Sequence, residues 1–183
     1  MSTVTSPPNP TATLSDPGEA ASIGRADARL RPWVAFLRAH AAVTRRLEAE
    51  LQEDQALSLA DYDALLQLAR VEGGRLRMNE LAGRLLLTRS GVSRLVDRLA
   101  LDGYVVRARC SSDARGAFAV LTPAGRARLD RAAPTHLRGV ATHFLAGLEP
   151  LPEAEREAFT HALEAILARL DGGGPTAADE QPA

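Results

Sequence analysis

The order of the elements between residues 78 and 122 constrains the fold of this chain more than any other feature. A short amphipathic run at 78–86 is followed by a second, TRSGVSRLVDRLALDGY, which begins at Thr88. The apolar residues of this second run recur at i, i+3, i+4 and i+7, and they are Val92, Leu95, Val96 and Leu99. Thr88 is a favourable N-cap, so the two runs predict two short consecutive helices.

Two extended runs follow the second helix directly. YVVRARC at 104–110 and AFAVLT at 117–122 are rich in β-branched and aromatic residues, and the polar segment SSDARG joins them. This pattern predicts a β-hairpin with a polar turn. Together with a further helix over 61–71, which Glu72-Gly73-Gly74 terminates, it predicts a winged helix-turn-helix over residues 56–122.

Long amphipathic helices flank this module on both sides. The first has its stripe in 27–55, at Leu30, Trp33, Leu37, His40, Thr44, Leu47 and Leu51. After the hairpin, Thr122-Pro123 starts a helix that runs towards Leu148 with a bend near Pro134, and a last helix covers 152–170. The predicted fold is therefore mainly α with a small β-hairpin wing. Because the terminal stripes lie outside the small module, we expect 27–55 and 123–170 to form a homodimer.

The ends of the chain have a different composition. Residues 1–26 are rich in Pro, Ser, Thr and Ala, and residues 171–183 are similar, so both predict disordered tails around a domain at 27–170. The sequence has no uninterrupted apolar run long enough to span a membrane and no secretory signal pattern, which predicts a cytoplasmic protein without membrane contact.

Enzyme signatures are missing from the sequence. It has no phosphate loop, nucleophile elbow or metal-binding pattern, so we expect no enzyme, cofactor or metal site. The single cysteine, Cys110, cannot form an internal disulfide. It is either inert or a redox-active thiol whose pKa the flanking arginines lower. A winged helix that binds protein rather than DNA stays open as an alternative.

Charge is distributed unevenly along the chain. All 22 basic residues are arginine, and the net charge is −1. Residues 75–131 nevertheless hold twelve arginines and five acidic residues. A basic middle segment is typical of a module that binds a polyanion, although a solvated basic face would have the same composition.

The outward face of the helix that begins after Thr88 suits a DNA major groove. Its exposed N-terminal set is Arg89, Ser90, Ser93 and Arg94. Serine hydroxyls contact bases or phosphates, and arginine binds guanine through two hydrogen bonds. An ordinary amphipathic helix with a polar outer face is the alternative for this segment taken alone.

The hairpin tip offers a second contact with DNA. Arg115 at the tip is predicted to enter a narrow minor groove, and Asp113, two residues earlier, to hold its guanidinium. A solvated turn with an ion pair of little energetic value is the alternative.

The segment NELAGRLLLTRSGVSRLVDRLALDGYVVRARCSSDARGAFAVLTPAGRARL resembles the multiple antibiotic resistance regulator (MarR) family. The resemblance extends over about residues 29–170. It implies a homodimeric transcriptional regulator, a repressor that binds a pseudo-palindromic operator in double-stranded DNA and is released by a small aromatic or anionic effector. It places Ser90, Ser93 and Arg94 on the major groove and Asp113 and Arg115 in the wing. It also gives Arg98 a backbone-contacting or structural role.

Two departures and a possible effector site accompany the resemblance. Arg77 stands where the family often has Thr or Ser as N-cap, so the third helix is expected to start weakly or nearer Asn79. Arg89 stands where a small residue or Pro is common.

The resemblance also implies an effector site. Its candidate residues are Trp33, His40, Tyr62 and Asp63, which would suit an aromatic anion. The alternative is that Trp33 belongs to the dimer core and His40 is an ordinary satisfied polar residue.

Overall fold

The computed structural model describes residues 28–85, 87–109 and 117–171. The chain forms two compact units, Met1–Ala42 and Val43–Ala183. The predicted tails lie outside the described residues, except that Asp171 ends the last helix. Cys110 and the predicted wing residues Asp113 and Arg115 also lie outside them.

Two helices precede the first strand. A 3₁₀ turn, Ala28–Leu30, leads into α1, Arg31–Gln55, and α2 follows at Leu59–Ala69. Helix α2 begins two residues before the predicted position because Ser58 is its N-cap. The Ser58 hydroxyl accepts a hydrogen bond from the backbone N–H of Asp61 at 3.0 Å. The predicted stop after α2 is confirmed by Gly73 and Gly74, which have φ of 70° and 62°.

The helix-turn-helix consists of two short helices. Helix α3, Met78–Arg84, starts at Met78 and is not displaced towards Asn79. The Glu80 carboxylate accepts the backbone N–H of the N-cap residue Arg77 at 3.1 Å, which compensates for the missing Ser or Thr. Helix α4, Arg89–Leu101, begins as predicted, and the Thr88 hydroxyl accepts the backbone N–H of Gly91 at 3.1 Å.

Three strands form an antiparallel sheet in the order β1-β3-β2. The hairpin strands β2, Val105–Arg109, and β3, Ala117–Leu121, confirm the predicted wing strands. Strand β1, Arg75–Arg77, was not predicted, and it pairs with β3 so that Arg77 lies opposite Phe118. The fold is thus mainly α with a small winged sheet.

The helix after the hairpin is irregular at a different place from the one predicted. Helix α5 runs over Pro123–Val140, with Thr122 as N-cap and Pro123 in the first turn, and it continues through Pro134. The irregularity is a π-helical segment, Ala141–Leu145, before a last α-helical turn, Ala146–Leu148. The helix is therefore not interrupted at Pro134, and the expected bend there stays a prediction. Helix α6 completes the described chain at Glu153–Asp171.

The core lies within the winged helix and the helices that pack on it. Its largest fully buried side chains are Leu51, Leu65, Leu68, Leu81, Leu99, Val92, Val96 and Val105. Gly125 allows α5 to start directly on the wing, since a Cβ there would lie 2.1 Å from the carbonyl oxygen of Tyr104. This packing holds the start of α5 against Tyr104, at the base of the wing.

The first and last helices of the described chain bury few of their residues. Within α6 none of residues 153–170 is buried, and in α1 only Leu47 and Leu51 are. Both helices expose large apolar side chains, among them Trp33, Val34, Phe36, Leu37, Ile166, Leu167 and Leu170. No helix among the residues described is long and apolar enough to cross a membrane.

Candidate nucleic-acid interface

Helix α4 separates its apolar and polar residues cleanly. Val92, Leu95, Val96 and Leu99 are buried. On the opposite side Arg89, Ser90 and Arg94 are exposed, and Ser93 is half-buried. Because these four buried side chains hold the helix in place, the backbone of its polar N-terminal half is held in place too. The structure thus brings the four predicted groove residues together on one short helix.

Arg98 has a partner inside the protein. Its guanidinium lies 2.6 Å from Oδ1 of Asp61 in α2, and the side chain of Asp61 is only 11% exposed. The Ser58 hydroxyl donates to the other carboxylate oxygen of Asp61 at 2.6 Å. The hydrogen bond to Asp61 raises the pKa of Arg98. The observed contact ties α4 to α2, and the two roles that the family resemblance offered for Arg98 stay predictions.

The strand β2 contributes an arginine that sequence reasoning missed. The Nε of Arg107 lies 2.9 Å from Oδ1 of Asp97, and its Nη2 donates to the Ser93 hydroxyl at 2.7 Å. The same Nη2 donates to the Ser93 carbonyl at 3.2 Å. The sequence did contain a signal for Arg107, namely its position two residues after Val105. Side chains alternate along a strand, so Arg107 lies on the same side of β2 as the buried Val105.

A second arginine cluster covers part of the sheet. The Arg75 guanidinium carbon lies 3.7 Å from the centre of the Phe118 ring, and that of Arg77 lies 5.1 Å away. These are cation–π distances. The strand register brings these residues together, since β1 pairs with β3. The cluster adds positive charge to the lobe that carries α4.

The predicted effector residues lie in two different units. In the first unit, the Trp33 and Phe36 rings are 6.2 Å apart and the Phe36 and His40 rings 6.0 Å apart. In the second, the buried Tyr62 stacks on His136 with ring centres 4.3 Å apart. Burial raises the pKa of Tyr62 and lowers the pKa of His136, although the charge of Asp63 partly opposes the shift of His136.

His136 contains the one buried side-chain polar atom in the described chain that has no hydrogen-bond partner. This atom is Nδ1. Buried polar atoms in proteins are nearly always hydrogen-bonded, so such an atom invites a functional explanation. Sequence reasoning did not select His136 for this site, because its nearness to Tyr62 depends on the packing of α5 against α2.

A polar cavity of about 650 Å³ lies elsewhere in the second unit. It is lined by Gln52, Ala56, Leu57, Ser58, Asp61, Arg98, Asp102, Tyr104 and Arg128. None of the four predicted effector residues lines it. Among the described residues there is no cluster of three side chains able to hold a metal ion.

Known proteins share both this sequence pattern and this fold. A family model described as MarR family matches residues 57–116. AbsC from Streptomyces coelicolor, a MarR family transcriptional regulator, is 33% identical and has a TM-score of 0.70. The match covers 80% of this chain and 97% of AbsC. This chain belongs to the MarR family.

Two further relatives extend the comparison. Sco3205 from Streptomyces coelicolor, solved in complex with DNA, is 33% identical with a TM-score of 0.71, covering 85% of this chain and 94% of Sco3205. The transcriptional repressor YetL from Bacillus subtilis is 31% identical over 63% of this chain and 67% of its own length. The protein is therefore a MarR-family DNA-binding transcriptional regulator and not an enzyme, and the predicted family is confirmed.

Proposed function

We propose that this MarR-family regulator is a cytoplasmic homodimeric repressor that binds a pseudo-palindromic operator and is released by a small aromatic or anionic effector. The observation that carries the proposal is the outward face of α4. There Arg89, Ser90 and Arg94 are exposed on a helix whose other face is buried. Side chains on such a helix reach base edges in the major groove.

Within this proposal the arginines have different roles. Arg94, in the N-terminal half of α4, reads a base, and Arg89 contacts a base edge or a phosphate. Arg115 and Asp113 form the wing pair, with Arg115 in the minor groove. Arg98 supports α4 through Asp61, to which it is bound at 2.6 Å. We therefore expect its effect on DNA binding to be indirect.

The homodimer is supported by apolar surface that the single chain leaves exposed. Ile166, Leu167 and Leu170 of α6 are 57%, 59% and 72% exposed, and Trp33 of α1 is 56% exposed. Exposed apolar side chains that are grouped on a helix face mark association surfaces. We assign Trp33, and with it the neighbouring His40, to this interface. Two subunits related by a two-fold axis would bind two half-sites, hence a pseudo-palindrome.

The effector is proposed to bind beside Tyr62 and Asp63. Nδ1 of His136 is buried without a partner in the described chain, and its ring stacks on Tyr62. An aromatic ligand would add to the stack, and its polar group would satisfy the imidazole nitrogen. A ligand bound at α2 and α5 would act on α4 through the helix packing of the same rigid lobe.

Fluorescence anisotropy with labelled duplexes tests the proposal. Duplexes tiled across the region upstream of the protein's own gene are titrated with protein, with a scrambled duplex of equal composition as control. We expect preferential binding of one duplex with two chains per site, and release on addition of salicylate, an aromatic carboxylate. Equal affinity for all duplexes would contradict operator recognition and favour a winged helix that binds protein. Binding that salicylate leaves unchanged would contradict this effector class.

A further inference from the structure

Arg107 lies outside the recognition helix α4, yet its guanidinium bridges two α4 residues that are one turn apart. It contacts Asp97 at 2.9 Å and the Ser93 hydroxyl at 2.7 Å. We propose that Arg107 is a positioning residue, a proposal that rests on the proposed recognition of DNA by α4. Arg107 orients the Ser93 hydroxyl towards the DNA and neutralises the charge of Asp97. The base preference of α4 then depends on the wing strand β2.

The position of Arg107 on β2 determines where its side chain leaves the strand. Val105 and Arg107 point to the same side of β2, and Val105 is 1% exposed. In the register Arg107 lies opposite Ala119, which is fully buried. The base of the Arg107 side chain is therefore anchored at the core between sheet and α4. Only its end, with the side chain 37% exposed overall, reaches the polar side of the helix.

The contact with Ser93 determines what the hydroxyl can offer to DNA. An arginine is a donor only, so the Ser93 oxygen must accept from Arg107 and its own proton is directed elsewhere. A hydroxyl held in this way preferentially donates outward, to an acceptor such as guanine O6 or N7, adenine N7, or a phosphate oxygen. Without Arg107 the hydroxyl rotates and loses this preference.

The contact with Asp97 removes an electrostatic obstacle. Asp97 is 58% exposed on the same side of α4 as Ser90 and Arg94, where a carboxylate would repel phosphates. Arg107 holds it in an ion pair that involves Nε, while Nη2 holds Ser93. Lysine has one ammonium group and cannot reproduce this two-point geometry, so charge and orientation can be separated by substitution.

The test measures base preference as well as affinity. Wild type, R107A, R107K and S93A are each used to select from a duplex library with a randomised core, and affinities are then titrated at several salt concentrations. We expect R107A to lower affinity for the selected operator by roughly 10- to 100-fold and to broaden preference at one base pair per half-site. R107K should recover the salt dependence but not the preference. In the S93A background, R107A should broaden the preference no further.

A matched control is available on another surface of the molecule. Arg138 and Asp54 form a pair at 2.6 Å with side chains 59% and 43% exposed. R138A removes the same charge from a comparable pair, and we expect unchanged base preference. Melting curves accompany every variant, and if R107A does not fold, R107K and its combination with S93A provide the same comparison.

The outcomes separate the inference from the proposed function. An equal loss on all sequences in R107A, fully restored by R107K, would make Arg107 a simple phosphate contact and overturn the positioning role. Further broadening by R107A in the S93A background would also overturn it. A wild type that enriches no sequence from the library would instead overturn operator recognition, and the positioning role with it.

Discussion

The winged helix and the last helix have apolar residues in similar patterns, but they use them differently. In α4 every residue of the apolar stripe is buried within the chain. In α6 Phe159, Ile166 and Leu170 also share one helix face, at i, i+7 and i+11, yet they are 37%, 57% and 72% exposed. The difference shows that the apolar stripe of α4 is buried without a second chain. The apolar face of α6 stays exposed in the single chain, and in the proposed dimer a second molecule would bury it.

Salt concentration should have the largest effect, because it should weaken DNA binding by the α4 lobe but not association through α6. If 6 to 10 arginine–phosphate contacts form, operator affinity should fall by roughly 10³–10⁵ between 50 and 200 mM salt. An apolar α6 interface should not weaken with salt. Anisotropy titrations measure the first effect and light scattering the second. A flat salt dependence of operator binding would remove the distinction between the regions.

The double variant I166E/L170E should have the next largest effect. Charges on the exposed stripe of α6 should convert the dimer to the 19.5 kDa chain. Operator affinity should fall by roughly 10²–10⁴-fold, because each half-site then binds alone. Light scattering with parallel titration measures both quantities, and E164Q on the same helix is the control. If this variant remained a dimer, the proposed interface would be wrong.

Replacing Arg94 should have a smaller and local effect. R94A should weaken operator binding by about 1–3 kcal/mol and relax preference at one base pair per half-site. The melting temperature should hardly change, since Arg94 is exposed. R156A removes an exposed arginine from α6 and should leave affinity and preference nearly unchanged. Equal behaviour of the two variants would contradict the assignment of α4 as the recognition helix.

The smallest expected effect is on the pH dependence of stability, which we compare for His136 of α5 and His161 of α6. Burial lowers the pKa of His136, so between that pKa and about 6.5 the unfolded chain binds more protons than the folded chain. The free energy of unfolding should therefore fall as pH decreases from about 6.5 towards the lowered pKa. Chemical denaturation at several pH values should show a smaller fall for H136Q. It should show an unchanged fall for H161Q, whose histidine is exposed on α6.

The elements that could be predicted from the sequence are those whose signals are local. Helix α4 has its N-cap, its apolar spacing and its stop within one segment, and the structure confirms its start at Arg89. The prediction of the groove residues was based on that helix alone, and the structure confirms that Arg89, Ser90 and Arg94 are exposed on it. The small error at α2 arises because Ser58 is the N-cap, so that the helix starts at Leu59, two residues before the predicted start, and Asp61 lies in its first turn.

Features that depend on packing could not be predicted in the same way. Strand β1 is only three residues long, RLR, and has no strand propensity pattern; it exists because β3 is beside it. The Arg98–Asp61 and Arg107–Ser93 contacts join residues that are far apart in the sequence. The π-helical segment after Val140 has no sequence signal that we recognise.

The sheet order also sets the sequence of events in folding. Because β1 pairs with β3 and not with β2, the chain from α3 to the wing is closed into a loop when Arg77 meets Phe118. Closing such a loop costs chain entropy, and three residues of pairing repay little of it. Helices α3 and α4, formed by local contacts, should therefore precede the closure. Opening of this short strand pair alone would leave α3 and α4 packed by their buried residues, so amide exchange should be faster in β1 than in either helix.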